Sequence, residues 1–350
     1  MSTIDDLLSI ELTGVHTQPA PALGITKKLL KHHQGNEYIL EIDNTSLESF
    51  LACDRASQYR LVYSRTTHPT AALIYGQAIH SALEYFYKHG PNIPAMLAAG
   101  EKELLRLPED SEEWRNYSAL ERTVLKYVKE YANEPFEPVR IDANTLAVEL
   151  PFSDHIGEME LNKTLAFDHA TLVADSHDLD TLPVFISKLH IVWTGVIDAI
   201  VEEQGRLWAM DHKTSSVVGP SYFEQFSLSQ QFVGYVRSAS KILGKPLNGA
   251  LLNVIAGRKP TATGKSLEFH RRYYPYPTWL QDEWTSDIMT LIADFVDRLT
   301  TGHFPKKTLW CTGKFGTCPY LPVCQSDPDK RSYMLHSDSF ANNVWNPLNK

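Results

Sequence analysis

Two aspartates and a lysine stand close together in mid-sequence. Asp198 ends Gly195-Val196-Ile197-Asp198, and Asp211 and Lys213 flank His212 in Asp211-His212-Lys213. Two carboxylates a few ångströms apart repel unless a cation lies between them, and hard oxygen ligands suit Mg²⁺ or Mn²⁺. The backbone carbonyl of His212 offers a further oxygen. Lys213, two residues from Asp211, shares its face if the segment is a strand. An ammonium there can orient a water and stabilise the anion left when that water loses a proton, which is what phosphodiester hydrolysis requires. Taken alone, Asp-X-Lys on a strand is more often a surface ion pair worth under about 1 kcal/mol. The apolar approaches Trp208-Ala209-Met210 and Val196-Ile197 argue against that reading, because charges beside buried strands need a partner.

The elements that must position these residues follow from periodicity. Ile191 to Glu202 is rich in β-branched residues, and Leu207 to Asp211 follows across Gln204-Gly205, so a hairpin is predicted. Leu146–Phe152 and Leu251–Ala256 read as further strands, and Tyr38–Ile42 as a short one. Helical spacing is predicted over 46–63, 76–88, 112–133, 228–243 and 279–300. Asn44-Thr45-Ser46 supplies N-cap chemistry for the first of these. Residues 1 to about 36 read as an irregular arm, and the Pro-, Gly- and Cys-rich stretch from Phe304 as loop. The order implies an α/β (α+β) fold with a mixed central sheet flanked by helices.

With two further motifs in place, the set resembles the PD-(D/E)XK nuclease superfamily, and within it the RecB-like exonuclease branch. Gly195–Asp198 matches GxxD, and Asp211-His212-Lys213 matches (D/E)XK. Gln231-Phe232-Val233-Gly234-Tyr235 matches a downstream QxxxY, and His80 in Gly76-Gln77-Ala78-Ile79-His80 matches the branch's upstream histidine. The likeness spans about 46 to 325. It implies a restriction-endonuclease-like core over 46–300, an N-terminal arm over 1–45, and a cysteine-rich segment over 301–350. It also implies that His80, Asp198, Asp211 and the His212 carbonyl hold the metal and that Lys213 activates water. Gln231 and Tyr235 would then hold the substrate strand or the neighbouring catalytic groups. Gln230 is the register alternative to Gln231. Glu149 stands where relatives often carry a strand glutamate, as an accessory ligand. Glu84 could support His80 or be an ordinary exposed glutamate.

Four cysteines, Cys53, Cys311, Cys318 and Cys324, could form a zinc site, two disulfides or an iron–sulfur cluster. Zinc sites usually use two close pairs, which one distant and three clustered cysteines fit poorly; four thiolates also suit a 4Fe-4S cluster. The resemblance extends to relatives with one cysteine before the core and three after it, as in CRISPR-associated and AddB-type nuclease domains. In these the cluster clamps the two ends of the domain. Cys318 and Cys324 have that spacing, whereas the six residues between Cys311 and Cys318 exceed the commoner two.

The net charge of −9 excludes a protein that coats nucleic acid by overall charge, but not a local basic groove. Candidate phosphate contacts are Lys27, Lys28, Arg258, Lys259, Arg271, Arg272, Lys306 and Lys307. Tyr273, Tyr274, Tyr276 and Trp310 interleave with them, a mixture suited to single strands. No apolar run reaches membrane-spanning length, and a cytoplasmic location is the default expectation. The sequence has no GxxxxGK[ST], so a helicase or recombination partner would be a separate protein. The expected activity is Mg²⁺/Mn²⁺-dependent exonucleolytic cleavage of DNA, single-stranded or at ends. Such enzymes serve recombination, repair, phage DNA metabolism or CRISPR adaptation. A catalytically inactive iron–sulfur DNA-binding or assembly protein, or an endonuclease of the same fold, is the alternative.

Overall fold

The computed structural model describes residues 29–107, 114–165, 184–259, 266–313, 316–343, 346 and 348. Lys27 and Lys28 lie outside them. The chain opens with the hairpin β1 (Leu30–Gln34) and β2 (Glu37–Ile42), so that part of the expected irregular arm is a sheet edge. A broken helical stretch follows: α1 (Asn44–Ala52), α2 (Asp54–Ser57) and a π-helical turn over Gln58–Val62. The sequence predicts one helix there. It breaks because Cys53 is extended, its N–H capping α1 on the Ser49 carbonyl. After the short β3 (Arg65–Thr67) come α3 (Ala71–His89), α4 (Ile93–Leu104) and α5 (Tyr117–Tyr131).

The sheet is built on one long strand. β4 (Glu137–Pro138) and β5 (Val148–Leu165) pair antiparallel with β6 (Val184–Glu203). β7 (Arg206–Ser215) returns from it through Gln204 and Gly205, both at positive φ (50° and 78°), the turn geometry that matches strand twist. α6 (Pro220–Glu224) and α7 (Gln230–Leu243) lead to β8 (Gly249–Gly257), parallel to β7. β9 (Leu267–Pro275) runs antiparallel to β8. The long α8 (Thr278–Thr301) precedes a C-terminal segment. That segment holds the two-residue strands β10 (Thr312–Gly313) and β11 (Gly316–Thr317), the short helices α9 (Leu321–Gln325) and α10 (Pro328–Leu335), and β12 (Phe340–Asn342).

The path across the sheet is β1-β2-β6-β7-β8-β9. Its two faces bury separate cores. Leu47, Phe232, Val236, Trp284 and Ile288 of α1, α7 and α8 cover one face. Ile79, Met96, Leu120 and Val124 of α3, α4 and α5 cover the other. β8 reads as a continuous apolar run because it is buried on both sides, with Leu252 and Val254 facing one core and Leu251 and Ile255 the other.

β6 shares one edge between two partners. Glu37–Ile42 of β2 pair with 188–193, and Arg206–Met210 of β7 pair with 199–203. Between them β7 leaves β6, opening a fork at 194–198. The candidate catalytic residues lie at that fork.

Candidate active site

Asp198 stands on β6 where the fork opens. The carboxylate fills the space left by the lost ladder pairing: Oδ2 accepts from the His212 N–H at 2.7 Å, where a strand partner would otherwise sit. The N–H and C=O of one strand residue leave on the same edge, so the His212 carbonyl opens into the same fork. Asp198 is buried (4 % exposed), as are Asp211 (3 %) and His212 (2 %).

Alternation along β7 sorts its side chains between the two faces. Asp211 and Lys213 point toward α7, and His212 and Thr214 toward α3. On the α7 side, Lys213 Nζ lies 2.9 Å from Asp211 Oδ2, and it donates to Gln231 Oε1 at 3.0 Å. Gln231 Nε2 donates to Asp211 Oδ1 (3.2 Å) and to Tyr235 Oη (3.0 Å). Gln231 and Tyr235 can both reach because they are four apart on α7, whose N-cap Ser229 accepts from the Phe232 N–H. Gln230, one position off, plays no part in this set of bonds. Tyr235 reaches the site over Gly195: a Cβ there would lie 3.4 Å from the tyrosine ring and 3.0 Å from Phe152. The glycine of GxxD is thus a matter of space.

On the α3 side, His80 Nδ1 lies 3.5 Å from Asp198 Oδ2. A Cβ on Gly76, one turn earlier, would lie 3.0 Å from Thr214 Oγ1, so the glycine lets α3 approach β7 closely enough for His80 to reach the fork. Glu149, on the adjacent strand β5, sits at φ +50°. That left-handed conformation disfavours a side chain with a Cβ. Here it accompanies a ligand-like position, since donor atoms of His80, Glu149 and Asp198 all lie within 4.8 Å of one another. Asp211 falls outside that triple, its carboxylate turned to Lys213 and Gln231. Glu84, by contrast, is paired with Lys88 at 2.6 Å.

The electrostatics match this geometry. Burial pushes the Asp211 carboxyl above its usual range; Lys213 opposes the shift and the nearby Asp198 adds to it. Burial works against the Lys213 ammonium, but the charges of Asp211 and Asp198 and the hydrogen bond to Asp211 outweigh it, so the amine stays protonated. Burial, then Asp211, holds the Tyr235 hydroxyl well above its usual value, leaving it a neutral hydrogen-bonding group. Asp211 Oδ2 is buried and faces the Lys213 ammonium at 2.9 Å. Such an atom is costly unless a cation faces it. The carboxylates of Asp198 and Glu149 and the His80 imidazole give a mostly oxygen donor set that fits a hard divalent cation.

The family model described as the PD-(D/E)XK nuclease superfamily matches residues 44–325. The chain belongs to this superfamily. The mixed sheet flanked by helices is the restriction-endonuclease-like fold expected of it, and membership implies metal-dependent nuclease activity. No curated protein matches the chain.

Several residues behind the site carry no sequence motif. Asn253 Nδ2 lies 2.9 Å from His212 Nδ1 and 2.9 Å from Tyr127 Oη. The His212 ring stacks on Tyr87 at 5.4 Å and meets His80 edge-on at 5.8 Å. Arg271 completes the cluster, bridging Glu134 with both terminal nitrogens and lying 3.6 Å over the Tyr131 ring. The one available signal was Asn253 itself, a fully buried amide inside Leu251-Leu252-Asn253-Val254-Ile255. An apolar run keeps such a residue only with partners.

These contacts also revise the candidate phosphate contacts. Arg271 is committed to Glu134, and Lys307 to Asp54 (2.7 Å) and the Phe50 carbonyl (3.1 Å). Tyr274 and Tyr276 are core residues, and Tyr273 donates to Glu203. Arg272 lies 4.0 Å over the Phe223 ring. Arg258, Lys259 and Lys306 remain at the surface, as does Trp310, which is 61 % exposed.

The four cysteines are gathered by the C-terminal segment folding back on α1 and α2. Arg55 N–H donates to the Pro305 carbonyl and its Nε to the Phe304 carbonyl. Lys307 N–H reaches Cys53 Sγ at 3.4 Å, and Tyr320 Oη donates to the Arg65 carbonyl at 2.6 Å. Burial raises the Cys318 thiol, and Cys53, Cys324 and Cys311 each push it further, so the four sulfurs share one neighbourhood. Among the described residues no three cysteines bring their sulfurs within 4.8 Å of one another.

Proposed function

We propose that this chain is a RecB-like exonuclease that hydrolyses DNA from single-stranded regions or ends with Mg²⁺ or Mn²⁺. The observation that carries this reading is the fork. It is lined by Asp198, Glu149 and His80, and Asp211 beside it is tied to Lys213 and Gln231. His80, Asp198, Glu149, Asp211 and the His212 carbonyl would hold the cation. When bound, such an ion acts as a Lewis acid toward the phosphodiester.

The chain's own groups supply the rest. Lys213, fixed by Asp211 and Gln231, holds its ammonium where it can orient the attacking water and stabilise the charge that develops as the water loses its proton. Gln231, bridging Asp211, Lys213 and Tyr235, limits the freedom of both charged groups. The buried Asn253–His212 pair fixes the strand segment whose N–H holds Asp198.

In this reading Cys53, Cys311, Cys318 and Cys324 bind a 4Fe-4S cluster. It would close a loop of more than 250 residues and so favours a structural role. What supports it is the gathering of four thiols in one neighbourhood. A helicase or recombination protein would act as a separate partner.

The test is digestion of end-labelled single- and double-stranded DNA by anaerobically purified protein, beside Asp211→Ala and Lys213→Ala. Progressive loss from ends, dependent on Mg²⁺ or Mn²⁺ and absent in both variants, is expected. Equal inertness of all three proteins would sink the enzymatic reading. Discrete fragments from closed circular DNA would replace it with an endonuclease. Stoichiometric zinc without iron or a visible chromophore would overturn the cluster.

A further inference from the structure

The other end of β6 carries a second group of ligating side chains, around His190. It lies eight residues before Asp198 on the strand, about 26 Å away at the usual strand rise. The His190 side chain is only 14 % exposed and is held between two carboxylates. Its Nε2 lies 2.8 Å from Glu37 Oε2 on β2, and its Nδ1 lies 3.2 Å from Glu158 Oε1 on β5. Two more imidazoles approach it. The ring centroid of His33, on β1, is 4.8 Å away, and that of His155, on β5, is 5.7 Å away. Donor atoms of His33, Glu37 and His190 lie within 4.8 Å of one another, and so do those of His155, Glu158 and His190.

We propose that His33, Glu37 and His190 form a Zn²⁺-class site, separate from the nuclease centre. Two imidazoles and one carboxylate with a water in the fourth position suit zinc rather than the harder magnesium. The backbone supplies an independent reason for His33. The pairing of β1 with β2 slips between His32 and Gln34, leaving His33 as the extra residue of a bulge. Bulges re-aim side chains, and this one brings His33 beside His190.

The Nε2 side is favoured because Glu37 is half-buried while Glu158 is exposed, His33 and His155 being both exposed. Glu158 is also engaged by Lys188 at 3.1 Å. Metal on Nε2 leaves the proton on Nδ1, where Glu158 accepts it. A carboxylate in that place fixes the tautomer of a ligating histidine. The bound ion would pin the edge hairpin β1–β2 to β6, tying three strands at one point.

The site can be tested on the full chain in Mg²⁺-containing buffer by titration with Zn²⁺, and with Co²⁺ as a spectroscopic probe. Wild type should take up one sub-micromolar equivalent of Zn²⁺ that His190→Gln and His33→Gln lose. Glu158→Gln should weaken uptake by about 10- to 100-fold. His33 is exposed, so its variant should fold and keep wild-type Mg²⁺-dependent DNA cleavage. The cobalt form should have visible ligand-field bands without a thiolate charge-transfer band. Unchanged zinc uptake in His33→Gln, the lack of any sub-micromolar zinc in wild type, or a cobalt thiolate band insensitive to His33→Gln would each overturn the proposal. The last would assign the metal to the cysteines, and a plain ion-pair cluster would give the second.

Discussion

Replacing Lys213 by methionine keeps the apolar stem and removes the ammonium that faces Asp211. Nζ lies 2.9 Å from Asp211 Oδ2, which at an effective dielectric constant of about 20 corresponds to roughly 6 kcal/mol of gross attraction. The Lys213 side chain is 31 % exposed, so solvent screening and desolvation leave a net loss of about 2 kcal/mol. The loss should depend on pH. Asp211 is already held above the usual carboxylate range by burial, with Lys213 opposing the shift, so without Lys213 it rises further. The folded variant then keeps a proton that the unfolded chain releases. Its stability falls as pH rises from the unfolded carboxylate value through the raised folded one. The destabilisation should therefore be full above that window, smaller below it, and partly reversed by Mg²⁺ bound beside Asp211. Cleavage should drop about 10²- to 10³-fold, as when one preorganised stabiliser of developing charge is lost. Denaturant unfolding at two pH values, with and without Mg²⁺, together with single-turnover cleavage of end-labelled DNA, measures both effects. Near-wild-type cleavage, or a stability loss indifferent to pH and Mg²⁺, would refute the reasoning.

Glu149→Gly should relieve the left-handed strain at φ +50°, recovering about 1 kcal/mol in thermal unfolding, while metal-dependent cleavage declines; equal or better cleavage would remove Glu149 from the site. Asn253→Leu should cost about 1–3 kcal/mol, since it removes the buried amide's contacts to His212 Nδ1 and Tyr127 Oη. Gly205→Ala, at φ +78° in the β6–β7 turn, should cost about 1 kcal/mol in stability and leave cleavage of saturating substrate unchanged, because the turn lies at the opposite end of β7 from Lys213. Cys324→Ser should lower iron content and thermal stability together, measured by metal analysis and unfolding on the same sample.

Much of the site was legible because its spacing follows local rules. Alternation along 206–215 put Asp211 and Lys213 on one face, helical spacing put Gln231 and Tyr235 on another, and Gln204-Gly205 specified the turn between the strands. Other features had no local signature. The sequence predicts one helix over 46–63, yet it breaks at Cys53, where the C-terminal segment docks. β9 and α4 were not anticipated, and Arg271 looked like a surface cation until Glu134 and the rings of Tyr87, Tyr127, Tyr131 and Phe136 enclosed it.

The sequence by itself determined the candidate set Asp198, Asp211 and Lys213 and most of the strands and helices that carry it, because side-chain direction repeats with a fixed period along each element. Only the tertiary structure decided which groups converge. The fork between β6 and β7, the close approach of α3 over Gly76, the left-handed turn at Glu149 and the gathering of four cysteines all depend on contacts between distant residues. Such contacts are chosen by packing and by the need to pair every buried polar group, and no local period encodes them.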